Sequence, residues 1–479
     1  MKKILLAIGV LLVVLGIKTA VFVSHRTEGL APVNNFPADS SAVLHLQQAV
    51  NFATISSEDD PLSGLPAIDS MVTFLQHTYP EVFQAMECQP IGGHSLLLHW
   101  KGTNSSAPVI FYAHLDVVPV EESANNTWRF EPFGEPFNYD TIRGRGTVDD
   151  KAGVIGLLEA TTRLIKNGHR PKRDIYIAFG HDEESGGKNG AAQLAKYLEE
   201  KGIKAEWLLD EGGLVAENMV PFVTPPVALI MTAEKGFMSV ELTTNGNGGH
   251  SSFPPKETPM DIMIAGLQRL HASPFERSAI PALEGFMDHT GPEMTFPFNV
   301  IFANRWLFRP IILNEYEKIP EASAMIRTTM ACTILKGGVK DNVLPSHVSA
   351  TLNFRILPGE TSAEVLASLA EKLDDERIII RMKGKPDEPS AVSSSTSEGF
   401  EAITKAVRAV FPDAIVAPSL SIAATDSRHF SNVAKDIYRF LPIRMDRSLL
   451  SGMHGANERI SAAAFTETVH FYENLIGQQ

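Results

Sequence analysis

Cysteine is nearly absent. The chain has two, Cys88 and Cys332, far apart and in no metal-ligating spacing. A disulfide framework is therefore excluded, and two buried free thiols are expected. An excess of basic charge is also lacking. Lys and Arg number 42 against 56 Asp and Glu, a net charge of −14, which argues against a nucleic-acid partner because phosphate binding needs basic patches. No internal repeat is visible. What remains is an ordinary globular composition, 44% hydrophobic and 20% charged, spread over 479 residues. That length exceeds one compact core and predicts two domains with an appendage.

The appendage is N-terminal. Lys2 and Lys3 precede an apolar run that begins at Ile4 and continues to Val23, interrupted by Lys18. This is the charged and apolar pattern of an export signal. No A-x-A cleavage site follows, and the run is almost long enough to span a bilayer, with Lys18 able to snorkel to the interface. Residues 1–25 thus read as a signal peptide or membrane anchor, and either way the body of the chain is exported. Residues 26–39 are polar and Pro-containing, as a linker is. Asn104 and Asn125 lie in N-x-S/T triplets, acceptors only in a eukaryote.

From there the pattern alternates strand and helix, the βαβ rhythm of an α/β fold with a mostly parallel sheet flanked by helices. Strands are expected over 109–113, 174–179 and 207–209, and helices over 150–165 and 191–201, the latter closed by Gly202. From Lys235 the character changes. "FMSVELTTN" and "HVSATLNFRILP" alternate apolar and polar residues as half-exposed antiparallel strands do, and the helical "SAEVLASLAEKL" and strand-like "RIIIRMKG" follow. This reads as an α+β unit inserted into the first. Between its pieces lies an aromatic stretch with Phe296, Phe298, Phe302, Trp306 and Phe308, either ordinary core or an apolar substrate wall or membrane contact. The α/β pattern resumes with a helix over 400–410, a strand over 437–441 and a final helix over 462–476. The expected division is 1–25 signal or anchor, 26–39 linker, 40–234 first part of the catalytic domain, 235–386 inserted unit, and 387–479 second part.

The chemistry sits at strand ends. His114 ends an apolar run in "FYAHLD", Asp149 follows a Gly-rich turn in "GRGTVDDK", and Glu183 and Glu184 are adjacent in "GHDEESGG". Asp210 closes "LLDEGG", and His454 sits in the glycine-flanked "SGMHGANE". Ligands of open α/β sheets bind beyond the carboxyl ends of strands. Two histidines and three carboxylates can hold two metal ions if Asp149 bridges, and a further glutamate is then free to take a proton from water. Asp149 also suits a helix N-cap, and each motif alone would pass as a solvated loop or turn.

In order, "HLDVVP", "GRGTVDDK", "DEESGG", "LLDEGG" and "HGANERI" resemble the five metal-site motifs of the aminoacylase, carboxypeptidase S and dipeptidase family of dizinc hydrolases, peptidase family M20. The resemblance is nearest to its carboxypeptidase S branch, which includes secreted enzymes acting on N-fatty-acyl amino acids. It implies two zinc ions, with cobalt or manganese as alternatives. His114 and Asp210 would hold one, Glu184 and His454 the other, and Asp149 would bridge. Glu183 would be the general base, and Asp116 would orient His114. A cis peptide would follow the bridging aspartate, at Asp149–Asp150.

The inserted unit resembles the family's ferredoxin-like lid and dimerisation domain. His250 in "GNGGHSSFP" would polarise the scissile carbonyl, often from the neighbouring subunit. Asn342 and Arg355 would bind substrate, as would Thr425 and Arg428 of the late "IAATDSRHF", where alanines replace the family's usual glycines. The function implied is hydrolysis of an amide next to a free carboxylate, in a short peptide or an N-acyl amino acid, with condensation as the reverse reaction. A membrane-tethered binding protein that keeps the fold without catalysis is the alternative, and a missing base or ligand would be its sign.

Overall fold

The computed structural model describes residues 1–24, 36–121 and 127–479. Most of the expected linker and the Asn125 triplet lie outside the described residues. The chain adopts an α/β fold built on a ten-stranded mixed sheet. Its central strands, Arg173–Gly180, Asn104–His114, Ala205–Asp210 and Ala434–Arg439, run side by side and parallel. Antiparallel strands extend the sheet on both sides. Glu87–Ile91 and Ser95–Trp100 lie on one flank; Val227–Glu234 and Leu214–Ala216 lie on the other.

The central strands are apolar on both faces because both are covered. Helices Lys151–Lys166 and Ala462–Gly477 pack in one core cluster with Phe111, Ile177 and Leu209. Ala191–Glu200 packs against Ile110, Tyr112 and Leu208 on the other face. Burial of such side chains contributes roughly 1.5–3 kcal/mol each. In the central register, His114 lies opposite Gly180, and Phe111 opposite Leu209. The carboxyl ends of these strands therefore share one rim.

A second, four-stranded antiparallel sheet is formed by Gly236–Asn245, Thr329–Gly337, His347–Ile356 and Ile378–Asp387. Met238, Val240 and Leu242 alternate inward against helices Pro259–Ala272 and Ser362–Leu373. Each helix opens with a capping box, on Thr258 and Thr361 respectively, which satisfies N–H groups the first turn leaves unpaired.

The helical stretch from Pro281 to Ile326 does not join that core. Leu283, Phe286, Phe302 and Ile312 pack against Val227, Ile415 and Ala417 of the larger sheet. The aromatic stretch is thereby divided: Phe302 is core, while Phe296 is 80% and Trp306 56% exposed. The cysteines need correction. Both are free, but exposed, because each sits on an edge strand of its sheet, Glu87–Ile91 or Thr329–Gly337.

Candidate metal centre

The Asn104–His114 strand delivers His114 to the rim fully buried. The next parallel strand ends at Gly180 and runs into a single 3-10 turn, Glu183–Ser185, closed by Gly186 at φ 98° and Gly187 at φ 66°. Those left-handed angles favour glycine. Asp182 anchors the loop by accepting the Asn189 and Gly190 N–H groups at 2.8 and 2.7 Å.

Asp116 is the hub of this corner. Its carboxylate accepts the Glu183 N–H at 3.1 Å, the Glu184 N–H at 3.0 Å and the Ser56 hydroxyl at 2.5 Å. His114 Nδ1 lies 3.1 Å from the Asp116 carbonyl and 3.4 Å from its carboxylate. Asp116 thus fixes the glutamate pair at least as firmly as the histidine.

Asp149 stands between two histidines. Its Oδ1 is 2.9 Å from His114 Nε2, and its Oδ2 is 2.9 Å from His454 Nε2. The bond after it, Asp149–Asp150, is cis. His454 Nε2 is also 3.4 Å from Glu184 Oε2. Three groups have ligand atoms close enough for an ion: His114, Asp149 and Glu211; Asp149, Glu184 and His454; and His114, Glu183 and Glu184. The first two share Asp149.

At one expected ligand the geometry differs from the expectation. Asp210 turns its carboxylate to the polypeptide, accepting the Glu211 N–H at 2.8 Å and the Ser427 N–H at 3.0 Å. Its neighbour Glu211 reaches His114 and Asp149 instead. The adjacent acids of "LLDEGG" cannot be told apart by pattern, because which one faces the rim depends on how the loop leaves the strand.

The electrostatics fit a cation. Glu184 Oε1 is buried with no hydrogen-bond partner among the described residues. Burial, together with the neighbouring Asp149 and Asp210 charges, pushes the Glu211 carboxyl well above its usual range. Burial does the same for Glu183, with Asp426, Glu184 and Glu211 adding to the shift. Burial also works to raise Asp149, but hydrogen bonds from His114 and His454 hold its carboxyl below the usual range. Hydrogen bonds to Asp149 and Glu184 raise His454 to about 10. Crowded carboxyls resist ionising together unless a positive ion sits among them. The donor set of imidazoles and carboxylates suits zinc, cobalt or manganese.

A second brace, not visible in the sequence, joins two loops. Glu458, 1% exposed, accepts N–H groups from Gly146, Val148 and Asp149 at 2.9, 2.7 and 3.2 Å, and the Arg145 guanidinium at 2.7 Å. Arg145 also donates to the Gly455 carbonyl at 2.7 Å. One ion pair therefore ties the Asp149 loop to the His454 loop. The signal was a charged residue inside each of two motifs, which only contact could join.

The expected substrate residues are more scattered. Thr425 is buried and donates to Glu234 Oε2 at 3.2 Å. Arg428 lies beside the glutamate loop and donates to the Gly186 carbonyl at 3.3 Å. Arg355, half-buried on the smaller sheet, lies over the Phe237 ring at 5.0 Å. His250 is exposed on a two-stranded ribbon opposite Val343, stacked on Phe253. Asn342 is exposed beside it, its carbonyl accepting the Ser251 N–H at 3.2 Å. The contacts of His250 and Asn342 lie within that ribbon, apart from the metal cluster.

The profile of Peptidase family M20/M25/M40 matches residues 110–478. The chain belongs to this family. It is a metal-dependent amide hydrolase of the carboxypeptidase S-like branch. It is 36% identical over 467 residues to the N-fatty-acyl-amino acid synthase/hydrolase PM20D1 of Xenopus tropicalis, covering 96% of this chain and 90% of that protein. It is 35% identical over 482 residues to the probable carboxypeptidase S-like 2 of Dictyostelium discoideum, covering 98% and 92%. In fold it is similar to an M20 family metallo-carboxypeptidase from Sulfolobus solfataricus, with a TM-score of 0.64 and 20% identity over 91% of this chain and 98% of that one.

Proposed function

We propose that this M20 hydrolase is a two-zinc enzyme that cleaves the amide of an N-acyl amino acid, leaving a free amino acid and a carboxylic acid. The reading rests on one observation: the Asp149 carboxylate divides its two oxygens between His114 and His454. His114, Asp149 and Glu211 would hold one ion, and Asp149, Glu184 and His454 the other. Bound zinc would supply Lewis-acid polarisation and bring the pKa of a water toward neutrality.

The chain's own residues then divide the work. Glu183, its backbone held by Asp116, takes a proton from the attacking water as oxygen adds to the carbonyl carbon. It returns that proton to the amine as the carbon–nitrogen bond breaks. Arg355 and Arg428 would meet the substrate carboxylate, where a planar guanidinium can bond two oxygens at once. His250 would polarise the carbonyl from the smaller sheet of a partner subunit, with Asn342 beside it. That sheet would serve as lid and dimerisation unit within 235–386. Run backwards, the same proton transfers condense a carboxylic acid with an amino acid.

The substrate class comes from the relatives, one named for N-fatty-acyl amino acids and one for carboxypeptidase S. The helix Lys2–Val21 would place the enzyme outside the cytoplasm, held at a membrane. The test compares a long-chain N-acyl phenylalanine with an unmodified dipeptide, using the full-length, zinc-loaded chain in detergent and Glu183→Gln as blank. Cleavage of the acyl substrate alone is expected. Cleavage of the dipeptide alone would make this an exported peptidase. Cleavage of neither, with metal bound, would reject both.

A further inference from the structure

The helix Lys2–Val21 has none of its residues buried, apart from contacts along one side of its last turns. Those contacts are specific. The Asn304 side-chain amide, fully buried, donates to the Leu15 carbonyl and the Thr19 hydroxyl at 3.3 Å each, and to the Val300 carbonyl at 2.9 Å. Its oxygen accepts the Trp306 indole N–H at 3.3 Å. Just past the helix, Phe22 packs so closely on Gly291 that a Cβ there would lie 2.7 Å from its ring. The Arg305 guanidinium sits 5.8 Å from the centre of the same ring. The helical stretch 281–326 is thus the seat of the N-terminal helix.

Depth follows from length. The helix has twenty residues, apolar after Lys2 and Lys3 except for Lys18 and Thr19, and is about 30 Å long, which is about the thickness of a bilayer's hydrocarbon core, so no turns are spare. Leu15 lies six residues before the helix end at Val21, about 9 Å down its axis. A seat that grips the helix at Leu15 must itself reach below the membrane surface. Its outer face is suited to that. Phe296, Trp306, Leu307 and Ile311 are 80, 56, 39 and 52% exposed, while Arg305 and Arg309 are paired with Glu284 and Asp288. Apolar side chains with an indole and neutralised charge belong at a bilayer interface. The lysines at the start of the helix keep that end in the cytoplasm, which puts this face in the outer leaflet.

We propose that residues 281–326 form a membrane-embedded platform, docked on a retained N-terminal helix, that sinks Phe296, Trp306 and Ile311 into the lipid bilayer. The partner is the lipid surface itself. The proposal rests on the anchored reading of the helix but not on the chemistry of the metal centre. An N-acyl substrate dissolved in lipid would then reach the enzyme without crossing bulk water.

The test uses the full-length chain in phosphatidylcholine vesicles whose acyl chains carry bromine, a contact quencher of tryptophan. Trp100 and Trp207 are buried in the body, and Trp128 is half-buried against Phe130 and Arg145, away from the platform, so Trp306, 56% exposed on the platform, should dominate the quenched emission. Trp306→Phe should lose most of the lipid-dependent quenching, and Ile311→Asp should reduce it by lifting the platform. Equal quenching in parent and Trp306→Phe would overturn the platform and leave the helix a simple tether. N-terminal sequencing of membrane-recovered protein should begin at the start of the chain; loss of the helix would overturn the proposal at its root. Hydrolysis of an N-acyl amino acid in detergent reads the metal centre separately, so failure of either reading is seen alone.

Discussion

The rim of the larger sheet and the surface of the smaller one contribute to the site in opposite ways. On the rim, each candidate ligand hangs from a strand end or tight loop. Asp116 and Glu458 each take three or more hydrogen-bond donors to brace that backbone. On the smaller sheet, His250 and Asn342 are exposed and contact their own ribbon. Metal ligands must hold still before the ion arrives, which takes buried, satisfied polar networks. Groups that meet a substrate must let it in, so they stay open to solvent until it binds. The contrast predicts that rim mutations act through metal and stability, and smaller-sheet mutations through turnover alone.

The sharpest break would come from Glu183, the rim residue whose role is turnover. Glu183→Gln should lower kcat by about 10²–10⁴-fold with metal content unchanged by elemental analysis; near-normal activity would give the base to another residue. His250→Ala should lower kcat by about 10²–10³-fold, again with metal retained. Loss of metal in that variant would erase the distinction between the two regions.

Glu211→Gln and Asp210→Asn can be compared by zinc titration. The Glu211 variant should lose affinity at one site, while the Asp210 variant should fall by about 10–100-fold at most, as groups behind a ligand do. The reverse order would make Asp210 the ligand and Glu211 the group behind it. Glu458→Gln should weaken metal binding by a similar 10–100-fold and lower the melting temperature of the metal-free protein, because Arg145 would be left buried without its counter-charge. The smallest effect is a proton count. His454, raised to about 10 in the metal-free protein, carries its proton at pH 7.5 and must give it up to bind an ion. Calorimetry in buffers of different ionisation enthalpy should therefore show net proton release on zinc binding, smaller in His454→Ala than in the parent; equal release in both would remove His454 from the ligand set.

Much of the rim was legible beforehand. The apolar run 109–113 and the helices over 150–165 and 462–476 correspond to Asn104–His114, Lys151–Lys166 and Ala462–Gly477, because period and burial agree in those segments. The exposure of the cysteines is not encoded locally, because an edge strand shows the same local pattern as a central one, and only pairing reveals which it is. The aromatics of 296–308 gave no direction at all. Phe302 and Trp306 look alike in sequence, yet one faces the core and the other is exposed on the outer surface.

The sequence alone determined the family, the α/β rhythm, the N-terminal apolar helix and the acids and histidines that crowd the rim, since each is carried by residue type and local order. Tertiary structure decided that Glu211 rather than Asp210 faces His114, that Glu458 and Arg145 lock two distant loops together, and that Asn304 seats the N-terminal helix. Each of these is a meeting of side chains remote in sequence or a choice between adjacent ones. Such choices are made by how strands end and helices pack, which no local pattern encodes.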